Sequence, residues 1–140
     1  MALAAGRKPP RLNDIDFHKQ AVPVAANTTI FQGAMVDKAA TGGMAKPGAA
    51  NTTDKCLGVA QSTVVNGAVA GANKVVLAYG VWKMRNSSAG DLITEADIGN
   101  DCFLVDDETV ARTNGTNTRH VAGEVYKLDA DGGVFVHFKP

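Results

Sequence analysis

Aromatic residues make up only 6% of the 140-residue chain: one tryptophan, two tyrosines and five phenylalanines. A platform of aromatics for stacking nucleic-acid bases is therefore missing. Net charge is missing too, because 14 basic residues balance 14 acidic ones. Electrostatic steering to nucleic acid or to an anionic membrane is not expected of such a chain. No segment approaches the ~18 uninterrupted apolar residues that a membrane-spanning helix needs. Only two cysteines are present, Cys56 and Cys102, each inside an apolar run. They read as two buried free thiols of a cytosolically made protein rather than as a disulfide.

Motifs of chemistry are scarce as well. The three histidines, His18, His120 and His137, have no His or Cys neighbour at ligand spacing, so no metal site is expected. Nothing matches the His-x-His and Glu set of the metal-binding jelly rolls called cupins. The run Asp129-Ala130-Asp131-Gly132 begins like a calcium loop but lacks the later carboxylates, and it reads as a hairpin turn. Asp106, Asp107 and Glu108 are adjacent acids, which alternate direction and stay solvated rather than pair for acid–base work. A nucleophile elbow, a phosphate loop and a dinucleotide fingerprint are all absent. No catalytic residue and no cofactor is expected.

The N-terminus places its first charges, Arg7 and Lys8, after a very short apolar stretch, the reverse of a signal peptide. In that light the Asn-x-Ser/Thr triplets at Asn27, Asn51, Asn86 and Asn114 read as turn chemistry and not as glycosylation sites.

What the chain does have is Ala, Val, Gly, Thr and Asn in abundance, the composition of short strands joined by many turns. At this length a single domain is expected, burying roughly two thirds of its extended surface. The patterning predicts an all-β fold of nine or ten short strands, as a jelly-roll-like β-sandwich or barrel. Val22-Pro23-Val24-Ala25 reads as an edge strand, because proline cannot donate to a ladder. Thr41-Gly42-Gly43 and Asp131-Gly132 read as hairpin turns. Gly58 marks a bulge, and Val64 to Asn73 reads as a flexible crossing. The one helical signal is Thr94-Glu95-Ala96-Asp97, a capping box with Gly99 just beyond it, enough for one short turn.

The densest apolar stretch runs from Lys74 to Arg85. Read with period two, one face carries Val75, Leu77, Tyr79 and Val81, and the other carries Val76, Ala78, Trp82 and Met84 around a gap at Gly80. A strand apolar on both faces has to be covered on both. Val76, Leu77, Tyr79, Val81 and Trp82 are thus expected in the core of one central strand, with Gly80 as a bulge or bend.

Residues 1 to 19 differ from the rest. Pro9-Pro10 favours extended backbone, and basic residues outnumber acidic ones. Leu12, Ile15 and Phe17 are not needed by a purely solvated tail, so the segment reads as a docking arm ahead of a β domain over 20–140. Its candidate contact residues are Arg7, Lys8, Arg11, Leu12, Ile15 and Phe17.

The order of motifs along 20–140 resembles the small decoration, or cement, proteins of tailed-bacteriophage capsids, jelly-roll cement proteins of podophages among them. Pro-Val-x-Ala-x-Thr-Thr-Ile-x-x-Gly-x-x-Val is matched within Val22 to Val36, and Leu-Gly-Val-Ala by Leu57 to Ala60. The Val-x-Val-x-x-x-Gly-Val-x strand is matched by the central stretch up to Trp82, apart from Lys74 at its first position. Ile93 to Val110 and Ala122 to Val136 match the two closing segments. Each piece alone is cheap; their ordered series is what carries specificity. The resemblance implies a non-enzymatic protein on the outer surface of the virion, made in the cytoplasm of a bacterial host. Its partner would be the major capsid protein, whose neighbouring subunits it would bridge, and it would act as a homo-oligomer, a dimer in preference to a trimer. No direct contact with nucleic acid or membrane is implied. The arm lies outside the shared pattern. The alternatives are a carbohydrate-binding or adhesin-type β-sandwich and, more remotely, an enzyme on a jelly roll.

Overall fold

A computed structural model describes residues 19–139, and over them the chain is all-β, of sandwich and barrel type, with two single turns of 3-10 helix. The first half contains β1 (Lys19–Pro23), β2 (Thr29–Ile30), β3 (Met35–Lys38), β4 (Ala45–Pro47), β5 (Lys55–Ala60), β6 (Val64–Val65) and β7 (Lys74–Ala78). Five of these form an antiparallel sheet in the order β1-β7-β5-β3-β4, and β2 and β6 form a separate two-stranded ribbon. The second half contains β8 (Gly80–Asn86), β9 (Asp101–Leu104), β10 (Thr109–Ala111), β11 (Val121–Leu128) and β12 (Val134–Phe138). They close into a barrel in the order β10-β8-β12-β11-β9.

The stretch expected to be one central strand is two. Tyr79 leaves the ladder, and Gly80 takes a φ of +104°, a backbone region that strains any L side chain. There the chain passes from the five-stranded sheet into the barrel, so β7 and β8 have different neighbours. This break and the short β6, inside the segment expected to be a plain crossing, raise the count from the expected nine or ten strands to twelve.

The split corrects the expected core. Leu77 is fully buried, but Tyr79 is only half-buried, and Val76, Val81 and Trp82 are exposed by 39%, 40% and 36%. No single pair of layers can cover both faces of a stretch that changes sheet in its middle. The strand with two covered faces is β3 instead. Met35 packs with Met84, Leu104 and Val136 of the barrel, while Val36 packs with Val22, Val75 and Leu77 on the opposite side. Val59 and Ala60 of β5 divide between the same two clusters. Strands β3 and β5 are thus the shared wall between two apolar cores, which period-two alternation makes possible.

Local signals hold where they are short-range. β1 ends the sheet, as its proline requires, although it starts at Lys19, inside the segment read as an arm. The β3–β5 ladder slips between Val36 and Asp37, the bulge expected at Gly58. A Cβ on Gly58 would lie 2.7 Å from the Ala78 carbonyl oxygen, so the strands approach there only because a glycine stands in the gap. The Thr94 turn is capped as read, with Thr94 N donating to Asp97 Oδ2 at 2.8 Å. All four Asn-x-Ser/Thr asparagines shape the backbone. Asn27 sits at φ +53°; the side chains of Asn51 and Asn114 accept backbone N–H groups two or three residues on; and Asn86 bonds both the N–H and the C=O of Ile93.

Candidate functional site

Strand β3 reads Met35-Val36-Asp37-Lys38, so alternation sends Asp37 to the barrel-facing side with Met35. A carboxylate there is costly unless it is paired. Its partner is His120, immediately before β11, whose Nε2 stands 2.9 Å from Asp37 Oδ1, with both side chains buried. The second carboxyl oxygen accepts Ala49 N–H at 3.1 Å. Burial pushes the Asp37 carboxyl above the usual carboxylate range, and the His120 contact pulls only partly against it. The other ring nitrogen, Nδ1, lies 2.8 Å from the carbonyl oxygen of Asn51. One imidazole therefore ties β3, the loop over 48–54 and the barrel together.

That loop is tightly built. Asn51 Oδ1 accepts the N–H groups of Thr53 and Asp54, and Asn51 Nδ2 donates to Ala49 O and to Asp54 Oδ2. Asp54 also accepts Ala40 N–H at 2.9 Å and meets the ammonium of Lys46.

Outside this knot is a cleft of about 460 Å³ between the start of β5 and the outer face of the barrel. Its floor is a cross-strand row in which Glu124 stands opposite both His137 and Asp101. Lys139 reaches Glu124 at 3.0 Å, and Lys55, Cys56 and His120 complete the wall. Such a cleft has charge of both signs at its mouth and can hold a polar group. Among the described residues no group of three His, Cys, Asp or Glu side chains is arranged to hold a metal ion. Cys56 gives no ready nucleophile, since burial pushes its thiol far above the ordinary value, and burial also pushes Cys102 up to about 12.

Of the residues weighed in the sequence, His120, His137 and Cys56 meet at this cleft. Arg7, Lys8, Arg11, Leu12, Ile15 and Phe17 lie outside the described residues. Asp106 to Glu108 form the turn between β9 and β10, which braces the layers: Asp107 O accepts Met35 N–H at 2.7 Å and Glu108 O accepts Arg85 N–H at 2.8 Å. Asp129 and Asp131 sit in the β11–β12 hairpin, where both carboxylates meet Lys83 Nζ. His120 and Asp37 were missed because 83 residues separate them and neither stands in a motif.

Two outward features remain. Val24 N donates to Asn73 O at 3.0 Å, so antiparallel alternation makes Val22 and Gln20 the bonded residues of β1 and turns the N–H and C=O of Ala21 and Lys19 to the outer edge, which no strand among the described residues covers. Exposed apolar side chains include Phe31 and Val65 at the β2–β6 ribbon and Tyr126, the extra residue of the bulge in β11. No family model, curated protein or solved structure matches this chain.

Proposed function

We propose that this chain is a capsid decoration protein that binds the outside of an icosahedral phage head and bridges neighbouring subunits of the major capsid protein. The observation that carries the reading is the ordered series of cement-protein motifs from Val22 to Val136. Its pieces fall largely on the strands that form the two cores: β3, β5, β7, β9, β11 and β12. An all-β body with an open edge at Lys19 and Ala21 suits the role, because an extended segment of a neighbour can add to such an edge. Balanced charge suits it as well, since each of many equivalent contacts can be modest and still hold by multivalency. On this reading the body is a homo-oligomer, a dimer before a trimer, at the virion surface.

The exposed rings of Phe31 and Tyr126 support a second reading, a carbohydrate-binding or adhesin-type module. Co-sedimentation of the purified chain with empty expanded heads tests the first, using the whole chain and a form that begins at Lys19. Saturable binding to expanded heads supports it, and loss of that binding in the shortened form assigns the contact to residues 1–18. No binding to heads, with binding on a glycan array, replaces it by the second.

A further inference from the structure

Both ring nitrogens of His120 face oxygen, Asn51 O at 2.8 Å and Asp37 Oδ1 at 2.9 Å. A carbonyl oxygen only accepts, so Nδ1 carries a proton. A neutral imidazole protonated there presents a lone pair at Nε2, and an ionised Asp37 presents another. At 2.9 Å two lone pairs repel, so a proton belongs on the Nε2–Oδ1 axis whichever atom holds it. The side chains are 7% and 0% exposed, which leaves water little access to take its place.

The geometry points to a shared proton, buried between Asp37 and His120, that latches β3 and the loop over 48–54 to the barrel, and whose release at alkaline pH unfastens them. The surrounding charges leave this assignment standing. Lys46, the cross-strand neighbour of Asp37 in β4, turns its ammonium to Asp54, and the charge on Asp54 further disfavours ionised Asp37. Cys56, opposite Asp37 in β5, keeps its thiol neutral. On the cleft side His120 faces Lys55, Asp101 and His137, with Glu124 taken by Lys139.

The sign follows from proton counting. Above the ordinary histidine value of about 6.5 the two groups of an unfolded chain hold one proton between them, whereas the folded pair holds two, one on Nδ1 and one on the Nε2–Oδ1 axis. The folded state thus binds more protons above that pH, and stability falls as pH rises, by up to about tenfold in the folding equilibrium constant per pH unit.

Two measurements test the latch on the full chain. Nitrogen NMR of the His120 ring, assigned by its loss in His120→Gln, and the carboxyl-carbon shift of Asp37 are expected to show at pH 7 one proton on Nδ1 and a second on either Nε2 or the carboxyl. An unprotonated Nε2 facing an ionised Asp37 in the folded protein at that pH overturns the proposal. Urea unfolding from pH 6.5 to 9 is then compared with Asp37→Asn. The variant's amide can donate to Nε2 of a neutral imidazole while its oxygen still accepts Ala49 N–H, so its pH slope is expected to flatten. A wild-type slope retained in folded Asp37→Asn also overturns the proposal. If that variant fails to fold, the ring-nitrogen and carboxyl spectra of the unaltered chain decide alone.

Discussion

The indole N–H of Trp82 donates to the carbonyl oxygen of Tyr79 at 3.1 Å, closing the bend in which Gly80 carries the chain from the sheet to the barrel. The bond uses a carbonyl beside the break and holds the indole across the corner. Gly80→Ala leaves ample space for the methyl group but forces an L residue to a positive φ. A loss of about 1–3 kcal/mol is expected in urea unfolding. Gly67→Ala, with equal space and no positive φ, is the control and should stay within about 1 kcal/mol of the parent.

The exchange of sheets also decides which apolar residues matter. Leu104 is fully buried in the core that Met35 enters from β3, so Leu104→Ala should cost about 2–5 kcal/mol. Val76→Thr, on the solvent side of β7, keeps the branched shape and should change stability by about 0.5 kcal/mol or less. Comparable losses from the two substitutions, read from denaturant midpoints, would contradict the two-core arrangement.

Acid should loosen the loop over 48–54. Burial pushes the Asp54 carboxyl up, but Lys46, Ala40 N–H and the Asn51 amide together outweigh it and hold the group below its ordinary value near 3.8. Stability from this carboxylate is therefore present above that value and lost as pH falls through the lower folded one. Asp54→Asn should lower stability at pH 7 and flatten the acid limb of the unfolding curve. An unchanged acid limb in the variant would place the acid sensitivity elsewhere.

Thiol chemistry offers a probe of the cleft. A disulfide exchange reagent needs thiolate, and burial holds both thiols protonated at pH 8, Cys102 up to about 12 and Cys56 higher still. Native protein should react far more slowly than protein unfolded in urea. Of the two, Cys56 should be labelled first, because it lines the cleft while Cys102 is fully buried.

Local features of this fold were legible in the amino-acid order, and distant ones were not. The turns at Thr41–Gly43 and Asp131–Gly132, the capped turn at Thr94 and the edge character of the strand holding Pro23 all depend on residues within a few positions of one another. Gly80 was visible as an interruption. Its effect, a change of partners between β7 and β8, depends on strands up to some sixty residues away. The Asp37–His120 contact had no sequence signature at all, since an aspartate on an apolar strand reads as an ordinary outward residue until its neighbours are in place. Burial of Val76, Val81 and Trp82 was misread for the same reason: hydropathy reports what can be covered, and topology decides what is.

The open edge strand has a mechanical consequence. Lys19, the first residue of β1, stands opposite Ala78, the last residue of β7, and so lies beside the corner at Gly80. Tension applied upstream of Lys19 enters the body at the seam between sheet and barrel. When that pull runs along the strand axis, the five paired positions of β1 and β7 are loaded together in shear instead of being peeled open one at a time.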